Sequence, residues 1–143
     1  MGQAYDRLEQ PLEAIKAFDK AIAIDPNFAE AYGNRANIMT DAGFSDEALK
    51  IYDKGLALNP NVAADWLNRG TLLEGMQRHA EALESIDRAI ALMPDLANAH
   101  RARAVVLMSL GRADDSRASD QTAAALEAKQ TPLPPRVGDP AGP

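Results

Sequence analysis

Two histidines, one pair of adjacent aspartates and several periodic sets of arginine, aspartate and asparagine are the residues in this chain whose types invite chemistry. The 143 residues include no cysteine, which excludes thiol catalysis, disulfides and cysteine-ligated zinc. His79 opens a helix, and His100 stands 34 residues after Trp66 and 68 after Tyr32. With no nucleophile or further ligand beside it, His100 is expected to pack as those aromatics do. Asp114 and Asp115 fall in the first turn of a helix, where carboxylates complement the helix dipole without any metal. No phosphate-binding glycine loop and no calcium loop occurs. The residues therefore predict no enzyme, no cofactor and no metal.

What must position these side chains is a repeat. Pro26, Pro60 and Pro94 lie 34 residues apart, within DPNFAEAYGNRAN, NPNVAADWLNRGT and MPDLANAHRARAV. A fixed period of this length marks a stack of similar units. Between the prolines the apolar spacing is helical: Ala48, Ile51, Tyr52, Gly55, Leu56 and Leu58 form one stripe. Ala82, Ile86, Ala89, Ile90 and Leu92 repeat it, as do Ala14, Ile15, Phe18, Ala21, Ile22 and Ile24. A preceding helix in each unit carries Tyr32, Ala36 and Met39, or Trp66, Gly70 and Leu73, or His100, Ala104 and Leu107. Ala36 and Gly70 are expected to face Ala48 and Ala82, small side chains that let two backbones approach. Each proline is expected in the first turn of the next unit's helix. Breaks inside the pairs are expected at Ala42-Gly43 and Gly111-Arg112, with Gln77 in place of glycine in the middle unit.

These residues resemble the tetratricopeptide-repeat (TPR) family. Its pattern of bulky, small, bulky, alanine, bulky, alanine and proline is met by Trp66, Gly70, Leu73, Ala82, Ile86, Ala89 and Pro94. The preceding unit matches with Tyr32, Ala36, Met39, Ala48, Tyr52, Gly55 and Pro60. The resemblance implies an all-α, right-handed superhelical solenoid of antiparallel helix pairs with about three and a half repeats. An incomplete repeat at 1–27 precedes full repeats at 28–61 and 62–95 and a degenerate capping repeat at 96–127. In the first repeat, Gly2, Tyr5 and Leu8 are what remains of a leading helix. In the last, Ser116 and Asp120 replace alanine and a bulky residue, as suits a polar cap. Residues 128–143 hold a proline-rich segment expected to be a disordered tail.

Two periodic polar sets remain. Arg35, Arg69 and Arg103 recur at 34, as do Asp19, Asp53 and Asp87. Because every arginine has a carboxylate at the same period, ion pairs between stacked units are favoured over an arginine row gripping an acidic ligand. The second set lies on the first helix of each pair. Asn34 shares a face with Glu30, Asn37 and Asp41, followed by Ala64, Asn68, Thr71 and Gly75, then by Asn98, Ala102, Val105 and Ser109. By itself this is equally a solvated polar face or a ligand surface. The resemblance implies that it lines the concave groove. Asn34, Asn37 and Asn68 would then bond to a peptide backbone, with apolar contacts near Leu67, Val105 and Met108. Asp41, Thr71 and Arg101 complete the candidate set. Asn34 and Asn68 also resemble the asparagine row in the TPR arm of SPINDLY-like O-linked N-acetylglucosamine transferases, although Ala102 breaks the row. A carboxylate clamp of the chaperone-binding type is poorly matched, since only Asn37 and Arg101 would suit it.

A net charge of −6 argues against nucleic acid, and no apolar run approaches membrane-spanning length. The expected protein is cytoplasmic, a non-catalytic scaffold binding a peptide segment of a protein partner in its groove. The alternatives are the substrate-recruiting arm of a larger glycosyltransferase and a homo-oligomer formed through the incompletely covered N-terminal unit.

Overall fold

The computed structural model describes residues 2–130, with side chains from Gln10 onward. Among them are seven helices and no strand: α1 Gly2–Ile24, α2 Ala29–Asp41, α3 Ser45–Leu58, α4 Ala63–Gly75, α5 His79–Leu92, α6 Ala97–Ser109 and α7 Ala113–Gln130. Helices α2 and α3, α4 and α5, and α6 and α7 form tightly packed antiparallel pairs, and α1 packs on α2. The architecture is the expected all-α solenoid. The last helix runs to Gln130, three residues past the boundary expected at 127. The rest of the expected tail lies outside the described residues.

The helix pairs close as their small residues dictate. Ala36, Ala48 and Ala82 are fully buried, and a Cβ placed on Gly70 would lie 3.1 Å from the Ala82 carbonyl oxygen. Around these points Met39, Tyr52, Leu72, Leu73, Ile86 and Val106 form one core that runs through the stack. Burying side chains of this size contributes roughly 1.5–3 kcal/mol each. α4 touches both α2 and α6, whereas α3, α5 and α7 do not touch one another. First helices that meet, beside second helices that stand apart, bend the stack toward α2, α4 and α6. Those three helices line its inner face.

The breaks inside the pairs fall as expected. Gly43 and Gly111 adopt φ values of +91° and +77°, and Gln77 takes the same left-handed role at φ 62°. A side chain in this region costs about 1–2 kcal/mol. Replacing Gln77 with Gly is therefore expected to stabilise the fold by about 1 kcal/mol, read as a higher urea midpoint at constant m-value. An unchanged or lower midpoint would count against stored strain at Gln77.

Two local expectations need correction. The repeat prolines do not enter the following helices, which begin three residues later at Ala29, Ala63 and Ala97. Pro26 and Pro94 instead sit second in four-residue turns closed by Phe28 N–H to Asp25 C=O (3.1 Å) and Leu96 N–H to Met93 C=O (3.2 Å). Proline's fixed φ suits that position. The Asp25 and Asn59 side chains brace their turns by accepting the Asn27 and Asn61 amides at 3.1 Å. The second correction concerns the first repeat. α1 is one continuous helix through Pro11, not the end of one helix followed by another. Leu8-Glu9-Gln10-Pro11 occupies the register of Ala42-Gly43-Phe44-Ser45 and lacks a residue suited to the left-handed turn. The consequence is visible in packing. Ala48, Leu49 and Tyr52 are buried in α3, but their counterparts Ala14, Ile15 and Phe18 in α1 are only half-buried.

Candidate functional site

The outer side of the stack is held by the periodic ion pairs. Arg69 Nε lies 2.7 Å from Asp53 Oδ1 and Arg103 Nε 2.9 Å from Asp87 Oδ1. Each of these arginines also donates to a buried serine, Arg69 to Ser85 and Arg103 to Ser119. Arg35 Nε approaches Asp19 Oδ1 to 2.7 Å, but its N–H finds no aligned acceptor. Ile51 stands in the register of Ser85, so this arginine lacks the second anchor. The aromatic positions share a further bond that the sequence pattern did not reveal. Tyr32 Oη donates to the Pro26 carbonyl at 3.1 Å, Trp66 Nε1 to that of Pro60 at 2.7 Å, and His100 Nε2 meets that of Pro94 at 2.8 Å. Three residue types satisfy one geometry because each carries an N–H or O–H at the ring edge. His100 thus makes the same contact to its repeat proline as the two aromatics do. His79 Nδ1 pairs with Glu74 Oε2 at 2.7 Å.

The inner face carries a different arrangement. Asn37 Oδ1 on α2 accepts from Asn68 Nδ2 on α4 at 3.0 Å and from the Tyr52 hydroxyl of α3. Burial pushes the Tyr52 hydroxyl up to about 12, so it remains a donor at neutral pH. With its oxygen committed, Asn37 leaves its amide N–H groups, and Asn68 its oxygen, without a partner among the described residues. One donor set and one acceptor thus sit side by side in a 380 Å³ cleft lined by Asn37, Thr40, Asp41, Tyr52, Asn68 and Thr71. Glu74 ties the far end of α4 to α6, accepting from the Ser109 hydroxyl at 2.5 Å. Burial raises the pKa of its carboxyl, but the bonds from Ser109 and His79 prevail and hold it below its ordinary value.

The expected groove residues do not all converge. Asn37, Asp41, Asn68 and Thr71 line one cleft. Asn34 is half-buried outside it and makes no side-chain hydrogen bond among the described residues. The amide pair is thus diagonal, Asn37 with Asn68, and not the 34-residue row of Asn34 and Asn68. Stacking offsets α4 along α2 by about one turn, an offset that a linear repeat does not display. Leu67 packs against the core. Arg101 is already engaged, with Nε 2.6 Å from Glu127 Oε1 and Nη1 3.6 Å from Asp120 Oδ1. Val105 does remain open. It is 58% exposed and lines a separate 410 Å³ cleft with Ala104, Met108, Ser109, Ser116 and Asp120.

Among the described residues no three His, Cys, Asp or Glu side chains converge as a metal site, and no helix is long and apolar enough to cross a membrane. A search of curated proteins returned no match. Among solved structures, a crystal structure of MamA superposes with a TM-score of 0.80 at 22% identity, covering 90% of this chain and 75% of that one. MamA 41-end from Desulfovibrio magneticus RS-1 gives a TM-score of 0.79 at 20% identity, covering 92% and 75%. The second TPR of Spaghetti (RPAP3), bound to the HSP90 peptide SRMEEVD, gives 0.67 at 23% identity, covering 68% and 91%. Two family models described as tetratricopeptide repeat match, one at residues 7–68 and the other at 41–96 and 67–131. With the helix pairs, the 34-residue register and these matches in agreement, the chain belongs to the tetratricopeptide repeat family.

Proposed function

We propose that this protein is a non-catalytic interaction scaffold whose inner face, formed by α2, α4 and α6, holds an extended peptide segment of a partner protein. The observation that carries this reading is the Asn37–Asn68 pair. Its free N–H groups and free carbonyl oxygen match what every peptide group offers, so one partner residue can be held by its backbone irrespective of side chain. Tyr52 fixes Asn37 from below, which lowers the entropic cost of ordering the pair on binding. The peptide-bound RPAP3 repeat is in keeping with such use of the fold. Nothing on the inner face favours a glycosyltransferase arm over a scaffold, because Ala102 occupies the third asparagine register.

The test is the double variant Asn37→Ala/Asn68→Ala in partner capture from native extract, with Asn34→Ala as the control. Loss of two backbone-directed bonds is expected to weaken capture about tenfold or more, with the helical circular dichroism retained. The control is expected to bind as the parent does. Undiminished capture by the double variant would refute this assignment of the face.

A further inference from the structure

Given that the inner face binds a peptide, we infer that the segment it takes is basic, with an apolar residue beside its Lys or Arg. The inference starts from which charges are already spent. The first helices carry four arginines and no lysine. Three of the arginines face the outer aspartates Asp19, Asp53 and Asp87. The fourth, Arg101, is held by both Glu127 and Asp120 of α7. Among the described residues, α2, α4 and α6 thus leave no unpaired cation to meet an anionic ligand.

The carboxylates are distributed otherwise. α2 and α4 carry Glu30, Asp41, Asp65 and Glu74, and among the described residues none pairs with Lys or Arg, while Glu74 meets the His79 ring. Asp65 is seated directly on α2, since a Cβ placed on Gly33 would lie 2.6 Å from its carboxylate oxygens. Burial and the nearby charge of Glu30 raise its pKa, as expected of a carboxylate beside a like charge with no counter-ion. Asp41 lines the cleft that holds the amide pair. Along the α2–α4 junction the order is therefore carboxylates, an amide donor and acceptor, and a further carboxylate.

Beyond this junction the face becomes apolar. Val105 and Met108 are 58% and 57% exposed and share the cleft that reaches Asp120. A partner that places Lys or Arg against Glu30, Asp65 or Asp41 would lay a peptide group on Asn37 and Asn68. It would then set an aliphatic side chain on Val105 and Met108. An acidic segment would meet like charge along the same path and find no free arginine.

The test uses the full chain and terminally blocked peptides of about ten residues, titrated by calorimetry. One carries lysines and leucines among serines; in the others glutamate or serine replaces lysine. The lysine peptide is expected to bind at least about tenfold tighter than the glutamate peptide. Its binding is expected to weaken at least about fivefold between roughly 50 and 300 mM salt. Glu30→Gln/Asp65→Asn should cost the lysine peptide about fivefold or more, while Glu47→Gln/Glu84→Gln, removing two charges elsewhere, should cost nothing. If the first variant loses its helical signal, Glu30→Gln/Asp41→Asn replaces it. Equal binding of the glutamate peptide, or equal losses in the two charge variants, overturns the inference. If the serine peptide binds as tightly as the lysine peptide and Asn37→Ala/Asn68→Ala weakens both, the groove stands and its basic preference falls. If Asn37→Ala/Asn68→Ala leaves lysine-peptide binding unchanged, the groove reading itself falls.

Discussion

Replacing Gly70 with Ala is expected to destabilise the fold by about 2–3 kcal/mol, a large effect for a single methyl group. The added Cβ would lie 2.6 Å from Ile86 Cγ1 and 3.1 Å from the Ala82 carbonyl oxygen. Ile86 is fully buried and cannot swing away, and the carbonyl belongs to helical backbone. The preceding unit shows why glycine is needed here and not there. Ala36 occupies the equivalent, fully buried position, and its counterpart across the pair is Tyr52, which has no branch at Cβ. Ile is branched at Cβ and stiff at χ1, so its Cγ1 methylene is held where the added Cβ would fall. Small residue and bulky residue are thus matched within each unit: Ala with Tyr, Gly with Ile. Urea unfolding of Gly70→Ala, Ile86→Tyr and their combination measures the match. The combination recreates the pairing of the second repeat and is expected to recover at least about half of the loss. Additive losses would show that the two positions do not share space.

Much of this was legible before any coordinate was known, because a repeat compares one unit with the next. The left-handed role of Gln77 followed from Gly43 and Gly111 at the same register, and the outer ion pairs from arginine and aspartate sharing one period. What stayed hidden lies where units meet or where the repeat stops. The Asn37–Asn68 bond joins residues 31 apart, and no repeat of 34 points to it. Arg101 offered itself as a ligand-binding cation until the last helix supplied Glu127. At the N-terminus the residues of a leading helix are present, but without a turn residue before Pro11 the chain continues as one helix. The bond from the aromatic position to the repeat proline is the one missed feature with a recoverable signal. Tyr32, Trp66 and His100 differ in size and hydrophobicity, and a polar edge is what they have in common.

The second large effect concerns Tyr52, where stability and the inner face meet. Its ring is 2% exposed at the centre of the core, so Tyr52→Ala is expected to cost about 3–5 kcal/mol. Phe18 holds the same register in α1 but is half-buried, and Phe18→Ala is expected to cost less than half as much. That contrast distinguishes a stack stabilised by its neighbours from one in which every unit contributes alike. Tyr52→Phe isolates the hydroxyl. It keeps the ring, removes the donor to Asn37 and is expected to cost about 1 kcal/mol. The pH dependence carries its own sign. Burial raises the folded pKa to about 12 from an ordinary 10.0, so the folded state holds this proton more tightly than the unfolded state does. The resulting stability is complete below pH 10 and declines as pH rises toward 12. Between pH 9 and 11.5 the parent is therefore expected to lose stability faster than Tyr52→Phe, narrowing the gap between them. Parallel loss in the two proteins would mean that the hydroxyl is solvated, and Asn37 would then lack the anchor that keeps its amide donors turned toward the groove.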